Sequence, residues 1–203
     1  MSELEELLYS FSIPKDFLFK ILNSLQKSTS SGIHKQIQLE LSLAFSYITN
    51  IVEVEQYFPL KKPIISAKGE TFHKWPADIY VKYNDTDFIV EVETANLSKR
   101  DEERRINGKL TKFLNIVDER RPLFLIPAFY RNNIPYEEIS LINKNTGVMP
   151  AYIIMSPKKK GIGVLNLKDE NLLDLFEKVT ECYSNASIIS NYIKNTFKEI
   201  FEY

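Results

Sequence analysis

The sequence predicts an α/β protein in which a mixed sheet is flanked by helices, with further helices at both ends of the chain. The first observation is a β-hairpin. Residues 79–83 and 88–92 are rich in β-branched and aromatic side chains, and residues 84–87 between them are typical of a turn. The second is a strand, a helix and a strand in succession from residue 90 to residue 126, the pattern of a parallel crossover. The third is helical spacing of apolar residues near both termini.

The first third of the chain reads mainly as helix. Residues 2–11 have helical spacing, and Pro14 suits the first turn of a second helix that continues to Leu25. Residues 33–50 form a longer helix with an apolar stripe. Residues 51–57 then alternate as a strand, on which we expect Glu53 and Glu55 to face solvent. Residues 59–74 read as a basic loop, which either runs against a phosphate backbone or is a surface loop. The neighbouring Trp75 either packs in the core or stacks on a base, and core packing is favoured.

After the hairpin, Ser98 and Asp101 have the spacing of a capping box and predict a helix that continues to Val117. Residues 123–128 form a short buried strand, residues 130–150 a loop, and residues 151–155 and 162–167 two more strands. Residues 169–183 and 187–201 predict two amphipathic helices. We therefore expect one domain over residues 1–203, with a helical extension at residues 1–30 and a helical segment at residues 168–203.

Composition excludes several classes of protein. The 203 residues suffice for one sizeable core, and the formal net charge of −1 does not by itself indicate nucleic-acid binding. The acidic N-terminus does not resemble a secretory signal, no apolar run is long enough to span a bilayer, and the lone Cys182 forms no internal disulfide. With only two histidines and one cysteine, a structural zinc site is not expected. We expect an intracellular protein that does not bind membranes.

Carboxylates occupy unusual places in the hairpin. Side chains alternate along a strand, so Glu91 and Glu93 lie on one face, about 6.6–6.8 Å apart. Asp78 opens the preceding strand. Acids on a buried strand repel each other and resist desolvation, and a hard cation such as Mg²⁺ or Mn²⁺ would compensate them. The alternative is an edge strand whose glutamates lie in water.

Pro76-Ala77-Asp78, followed by a turn and Glu91-Val92-Glu93, resembles the active-site signature of the PD-(D/E)xK nuclease superfamily. The resemblance covers roughly residues 33–129 in its order of elements. It implies a restriction-endonuclease-like fold, metal ligands at Asp78 and Glu91, and hydrolysis of phosphodiester bonds. The helix before the first strand often supplies another acid in this superfamily, and Glu40 is the corresponding residue here.

One position departs from the signature, because Glu93 stands where the superfamily usually has a lysine. Glu93 is then a further metal ligand or a general base. A lysine from the following helix can replace the missing cation. Lys109 flanks the apolar face of that helix and is favoured over Lys99 at its start. The alternative for both lysines is phosphate contact or solubility.

The sequence thus predicts a nuclease that depends on Mg²⁺ or Mn²⁺ and acts on DNA rather than RNA. Its catalytic residues would be Asp78, Glu91, Glu93 and Lys109, with Glu40 as an additional metal ligand. The alternatives are a nucleic-acid-binding protein on the same scaffold with little or no hydrolysis, and an interaction protein whose carboxylates are only surface charges. A homodimer is also expected, since Phe17, Leu18 and Phe197 offer apolar surface for two-fold pairing.

Overall fold

The computed structural model describes residues 3–95, 98–117, 123–131, 152–156, 161–165 and 170–202. Its helices, numbered in chain order, are α1 (Glu3–Ser10), α2 (Lys15–Lys27), α3 (Gly32–Ser46), α4 (Lys99–Leu114), α5 (Glu170–Thr196) and α6 (Lys198–Phe201). Its strands are β1 (Val52–Ile65), β2 (Thr71–Tyr83), β3 (Thr86–Glu93), β4 (Leu123–Tyr130), β5 (Tyr152–Ser156) and β6 (Gly161–Leu165).

The described strands form one mixed sheet in the order β1-β2-β3-β4-β5-β6. The pairs β1/β2, β2/β3 and β5/β6 are antiparallel, whereas β3/β4 and β4/β5 are parallel. The connection from β3 through α4 to β4 is the predicted crossover. β3 lies between β2 and β4, and its residues are all buried. The predicted fold class is confirmed: helices flank a mixed sheet, an arrangement consistent with a restriction-endonuclease-like fold.

Helices cover both faces of the sheet because each face is apolar. One core cluster joins residues of α1, α2, α3, α5 and α6 to one face, including Leu22, Phe45 and Phe176. The other joins Ile106 and Leu110 of α4 to the opposite face. The N-terminal helices therefore belong to the main core, since Leu8, Leu18 and Leu25 are almost fully buried within it. The helical segment at the other end packs into the same cluster.

The prediction of a basic loop over residues 59–74 is wrong. β1 continues to Ile65 and β2 begins at Thr71, so most of this stretch is a long antiparallel hairpin. Two prolines, Pro59 and Pro63, and several lysines gave it the composition of a loop. They are tolerated because β1 is the edge strand of the sheet.

The last helices also differ from the prediction. Residues 170–196 form one continuous helix, followed by the short α6. The predicted break after Tyr183 is absent because residues 184–187 contain no glycine or proline and Ala186 is buried in the core. Among the described residues, no helix is long and apolar enough to cross a bilayer.

The apolar residues on which the homodimer prediction was based are mostly covered by other parts of the same chain. Leu18 is fully buried, and Phe17 and Phe197 are half-buried against the main core. These residues complete the core of one chain instead of offering an apolar face to a second. The homodimer itself stays a prediction, without this support.

Candidate active site

The site lies where β2 and β3 separate. The ladder between them ends at the pair of Ile79 and Val90. Beyond this point the backbone N–H of Asp78 donates to Glu91 Oε1 over 3.2 Å, and the backbone N–H of Val92 donates to Asp78 Oδ2 over 2.7 Å. Side-chain acceptors thus replace the ladder, and they hold the carboxylates of Asp78 and Glu91 side by side at the base of the opening.

A change of face in β2 accompanies this opening. Simple alternation would place Ala77 and Ile79 on one side of the sheet, yet Ala77 belongs to the α4-side cluster and Ile79 to the main core. Opposite this point on β1, Glu55 has a φ of 55°, a left-handed conformation that is uncommon for residues other than glycine. The local twist at Asp78 lets its side chain meet groups from helices on both faces.

Lys109 of α4 supplies a cation to the acids. Its Nζ lies 3.2 Å from Glu91 Oε2 and donates to the carbonyl oxygen of Val92 over 3.2 Å. The helix begins at the predicted cap, because the side chain of Ser98 accepts the backbone N–H of Asp101. Ile106 and Leu110 then bind the helix to the sheet and place Lys109 over the carboxylates. The side chain of Lys99 lies outside the described residues.

The buried charges perturb each other's pKa values. Burial, followed by repulsion from Asp78, raises the pKa of Glu91 to about 7, although Lys109 opposes this shift. Burial also disfavours ionised Asp78, but the hydrogen bond from His34 and the charge of Lys109 outweigh burial and lower its pKa. Burial alone would lower the pKa of Lys109, but the negative charges of the surrounding carboxylates, Glu91 first, outweigh burial and raise this pKa. The site thus holds two carboxylates, the ammonium group of Lys109 and the imidazole of His34 close together, and each shifts the pKa of its neighbours.

His34 is a member of this site that the sequence interpretation missed. Its Nε2 lies 3.1 Å from Asp78 Oδ1. Burial lowers the pKa of His34, and the hydrogen bond with Asp78 reverses this so that the pKa is raised. One turn further along α3, Gln38 donates to the backbone carbonyl of Asp78 over 3.2 Å. A signal was present, since His34 and Gln38 have the i, i+4 spacing of one helix face.

Glu93 is close to the pair but has other partners. Its Oε1 accepts from the guanidinium of Arg105 over 3.1 Å and from the backbone N–H of Ala95 over 3.2 Å. It is buried, as Glu91 is. The structure thus brings Asp78, Glu91 and Lys109 together and places Glu93 further along β3, where it faces the first half of α4.

Glu40 lies away from these residues. Its carboxylate accepts hydrogen bonds from Tyr183 over 2.7 Å and from Gln36 over 3.2 Å. At about 100° per residue, Glu40 is on the opposite side of α3 from Gln38 and faces α5. Burial raises its pKa. The apolar stripe suggested that only one side of α3 is buried, whereas residues 38–45 are all buried.

Two other acids differ from expectation. Glu55 is half-buried and accepts from Ser28 and Gln38, each over 3.0 Å, instead of facing solvent alone. Glu53 is half-buried and pairs with Lys20 over 3.0 Å. Both connect β1 to the helices beside it. Trp75 is buried in the α4-side cluster, which agrees with the expectation of core packing.

A cleft of about 330 Å³ opens above the acids. Asp78, Glu91 and Lys109 line its inner end, together with His34. The rest of the lining comes from the β1–β2 hairpin, through Ile64, Phe72, Lys74, Trp75 and Pro76, and from Lys112 of α4. The site therefore combines carboxylates, several cations and apolar walls in one solvent-accessible place.

No protein-family model matches the sequence, and no curated protein matches it significantly. Among solved structures, the chain is similar to the small subunit of the heterodimeric restriction endonuclease R.BspD6I, with a TM-score of 0.36 and 15% sequence identity, over 90% of this chain and 99% of that chain.

Proposed function

We propose that this protein is a divalent-metal-dependent nuclease that hydrolyses phosphodiester bonds, with DNA as its substrate. The observation that carries the proposal is the convergence of Asp78, Glu91 and Lys109 at the inner end of one cleft. Buried acids that repel each other are costly for the fold, and their placement in an accessible cleft indicates a role in binding or chemistry.

The residues fit Mg²⁺ or Mn²⁺. Both ions prefer hard oxygen donors, and Mg²⁺ is commonly held by one or two carboxylates together with water and substrate phosphate. Asp78 and Glu91 provide two such carboxylates. Within the described ranges, no group of three or more His, Cys, Asp or Glu side chains is placed to hold an ion. The proposed site therefore depends on this pair, with phosphate and water as the remaining ligands.

A bound ion would act as a Lewis acid on the phosphate and lower the pKa of a coordinated water. Asp78 and Glu91 would hold and orient it, and His34 would keep Asp78 ionised. The ammonium group of Lys109 lies beside Glu91, where it would stabilise negative charge that develops on the phosphate. In this proposal Glu93 holds Arg105 through their ion pair or accepts a proton from water, and Glu40 is not needed.

The proposal is tested by incubating the full chain with labelled single- and double-stranded DNA and Mg²⁺ or Mn²⁺. We expect cleavage that a chelator abolishes and that Asp78→Ala reduces to background. Asp85→Asn is the matched control, because Asp85 is an exposed acid in the turn at the other end of the β2–β3 hairpin. Equal cleavage by the Asp78→Ala variant would refute the proposal.

The outcome without cleavage also discriminates between the alternatives. DNA that binds but stays intact with every metal would favour a nucleic-acid-binding protein on a nuclease-like scaffold. A protein that binds neither metal nor DNA would favour an interaction protein whose acids are structural charges. Calorimetric titration with Mn²⁺, together with the measurement of DNA binding, separates the interaction protein from the nuclease and from the nucleic-acid-binding protein.

A further inference from the structure

The part of the β1–β2 hairpin that extends past Phe58 and Trp75, residues 59–74, is called the hairpin arm here. Its register includes Pro59 opposite Lys74 and Ile64 opposite Phe72. Its charged side chains are mostly basic, with four lysines against the single acid Glu70: Lys61, Lys62, Lys68 and Lys74. All four lysines are exposed. The arm therefore carries an excess of positive charge, and its Lys74 lines the cleft.

The arm is fixed relative to the carboxylates. The register of β1 and β2 shifts between Pro59 and Ile64, which turns backbone groups of β1 toward the end of α4. The backbone N–H of Lys61 donates to the carbonyl of Asn115 over 2.8 Å, and the side chain of Asn115 bonds both backbone groups of Lys62. Because α4 also carries Lys109, the arm and the acids belong to one framework.

Part of the cleft lining is a strip of apolar and cationic side chains, formed by Ile64, Phe72, Lys74 and Pro76. Phe72, Lys74 and Pro76 are alternate residues of β2, so their side chains share one side of the strand. Ile64 is the cross-strand partner of Phe72 and adjoins it. Phe72 is 46% exposed and lines the same cleft as the carboxylates of Asp78 and Glu91. Lys112 of α4 adds a second cation to the cleft lining.

We propose that this strip is a binding subsite for single-stranded nucleic acid, in which an unpaired base stacks on Phe72 while Lys74 and Lys112 contact phosphates. The inference deepens the proposed nuclease function and depends on it for the reaction, but not for binding. Exposed aromatic rings between lysines are the features with which proteins bind unpaired strands. In a duplex the bases stack on one another, and its outer surface of phosphates offers no partner to Phe72 and Ile64.

The spacing along β2 indicates which nucleotide binds there. Asp78 lies six positions after Phe72, which corresponds to about 20 Å along an extended strand. The base on Phe72 therefore belongs to a nucleotide some positions away from the phosphate that lies at the carboxylates. The subsite selects the form of the substrate and does not contact the reacting atoms.

The test is equilibrium binding of the full chain in chelator, which prevents metal-dependent cleavage. The probes are a labelled 12-nucleotide DNA strand, the same strand as RNA, and the blunt DNA duplex. We expect the DNA or RNA strand to bind at least tenfold more tightly than the duplex. The strand that binds more tightly shows whether the subsite prefers deoxyribose or ribose. A duplex that binds as tightly as both strands would overturn the inference.

Substitutions assign the preference to the strip. Phe72→Ala should weaken strand binding about 5- to 150-fold, the range for loss of one base–aromatic stack, and leave duplex binding nearly unchanged. Phe72→Trp should restore it. Ile65→Ala is the matched control, because Ile65 is 69% exposed on the same arm but is not among the residues that line the cleft. If Phe72→Ala and Ile65→Ala cost the same, the stacking subsite is refuted.

Two further readouts distinguish stacking from charge. A fluorescent 2-aminopurine in the strand should be quenched in the complex with the parent protein and not with Phe72→Ala. Lys74→Ala should lower the salt dependence of strand binding by about 0.7 in slope, as expected for one phosphate of a single strand, whereas Phe72→Ala should leave the slope unchanged. Quenching that persists in Phe72→Ala would contradict the assignment.

Failure of this inference differs from failure of the proposed function. Strand binding that depends on Phe72, without cleavage under Mg²⁺ or Mn²⁺, would support the subsite and refute the nuclease. Metal-dependent cleavage without preference for a single strand in binding or turnover would support the nuclease and refute the subsite.

Discussion

Nζ of Lys109 lies 3.2 Å from Oε2 of Glu91, so a lysine of α4 contacts this acid of β3. In the signature that the sequence resembles, the lysine would stand two positions after Glu91 on the same strand. Glu93 occupies that signature position and pairs with Arg105 instead. Compared with the signature, an acid, Glu93, stands on the strand where a lysine is expected, and the cation, Lys109, comes from the helix. This relationship leads to the first prediction.

Lys109→Ala should lower the single-turnover rate of cleavage about 10²- to 10³-fold, the cost of removing one preorganised donor from a developing negative charge. The affinity for DNA should change much less, because the contact is strongest in the transition state. Lys112→Ala is the matched control: it lines the same cleft and should weaken binding while bound DNA is cut at the parent rate.

A double variant tests where the cation must lie. Glu93→Lys introduced into the Lys109→Ala variant should recover part of the lost rate, since a cation then returns to the neighbourhood of Glu91. If Lys109→Ala cleaves bound DNA as fast as the parent, the relocated-lysine hypothesis is wrong, and the carboxylates with metal-bound water must suffice.

Glu91 should make the metal-free protein less stable as pH rises. Its pKa is 4.5 in the unfolded chain and about 7 in the folded protein, so between these values the folded state holds a proton that the unfolded state has lost. The associated stability is complete below pH 4.5 and is lost as pH rises through about 7. Urea denaturation in chelator at a series of pH values should show this slope in the parent and a flatter one in Glu91→Gln. Equal slopes would contradict the assignment.

His34→Ala should weaken binding of Mn²⁺ about 10- to 100-fold, because partners that orient a ligand typically contribute this much. The hydrogen bond of His34 helps to keep the pKa of Asp78 low, and without it a proton competes better for the carboxylate. His34→Gln preserves a donor and should bind the ion more tightly than His34→Ala. Calorimetric titration measures both. A deficit that is the same for both variants and independent of pH would indicate a structural role only.

Two glycines give opposite expectations for stability. A Cβ at Gly32 would lie 2.2 Å from the carbonyl oxygen of Phe201, so Gly32→Ala should destabilise the protein by about 1–3 kcal/mol through overpacking. A Cβ at Gly108 in α4 would meet no atom within 4 Å, and Gly108→Ala should stabilise the protein by about 0.5–1 kcal/mol. Urea denaturation of both variants measures the difference, and a loss from Gly108→Ala would contradict this view of α4.

The fold and half of the site follow from patterns within short stretches. The predicted hairpin linked Asp78 to the strand that carries Glu91, and helical periodicity favoured Lys109 over Lys99, because each inference involves one or two neighbouring elements. His34 could not be found this way, since its contact with Asp78 depends on how α3 crosses the sheet. Glu40 was misplaced for the same reason: periodicity shows that a helix has a buried side, but not which partner each side meets.

The hairpin arm shows a second limit of sequence patterns. Prolines and lysines reduce strand propensity, yet the arm forms because Asn115 accepts and donates the hydrogen bonds that its bulged edge would otherwise lack. Such compensation by a residue of another element is invisible to any window of sequence that covers the arm alone.

The contact between the first turn of α3 and α6 has a consequence for the order in which the protein folds. Lys35 is buried and donates to the carbonyl of Ile200, 165 positions later, and Gly32 packs against Phe201. The carboxylates and Lys109 instead come from residues 78–109. On a ribosome, the segment that forms this part emerges long before the residues that fix the helix bearing His34. We therefore expect the histidine to join the site last.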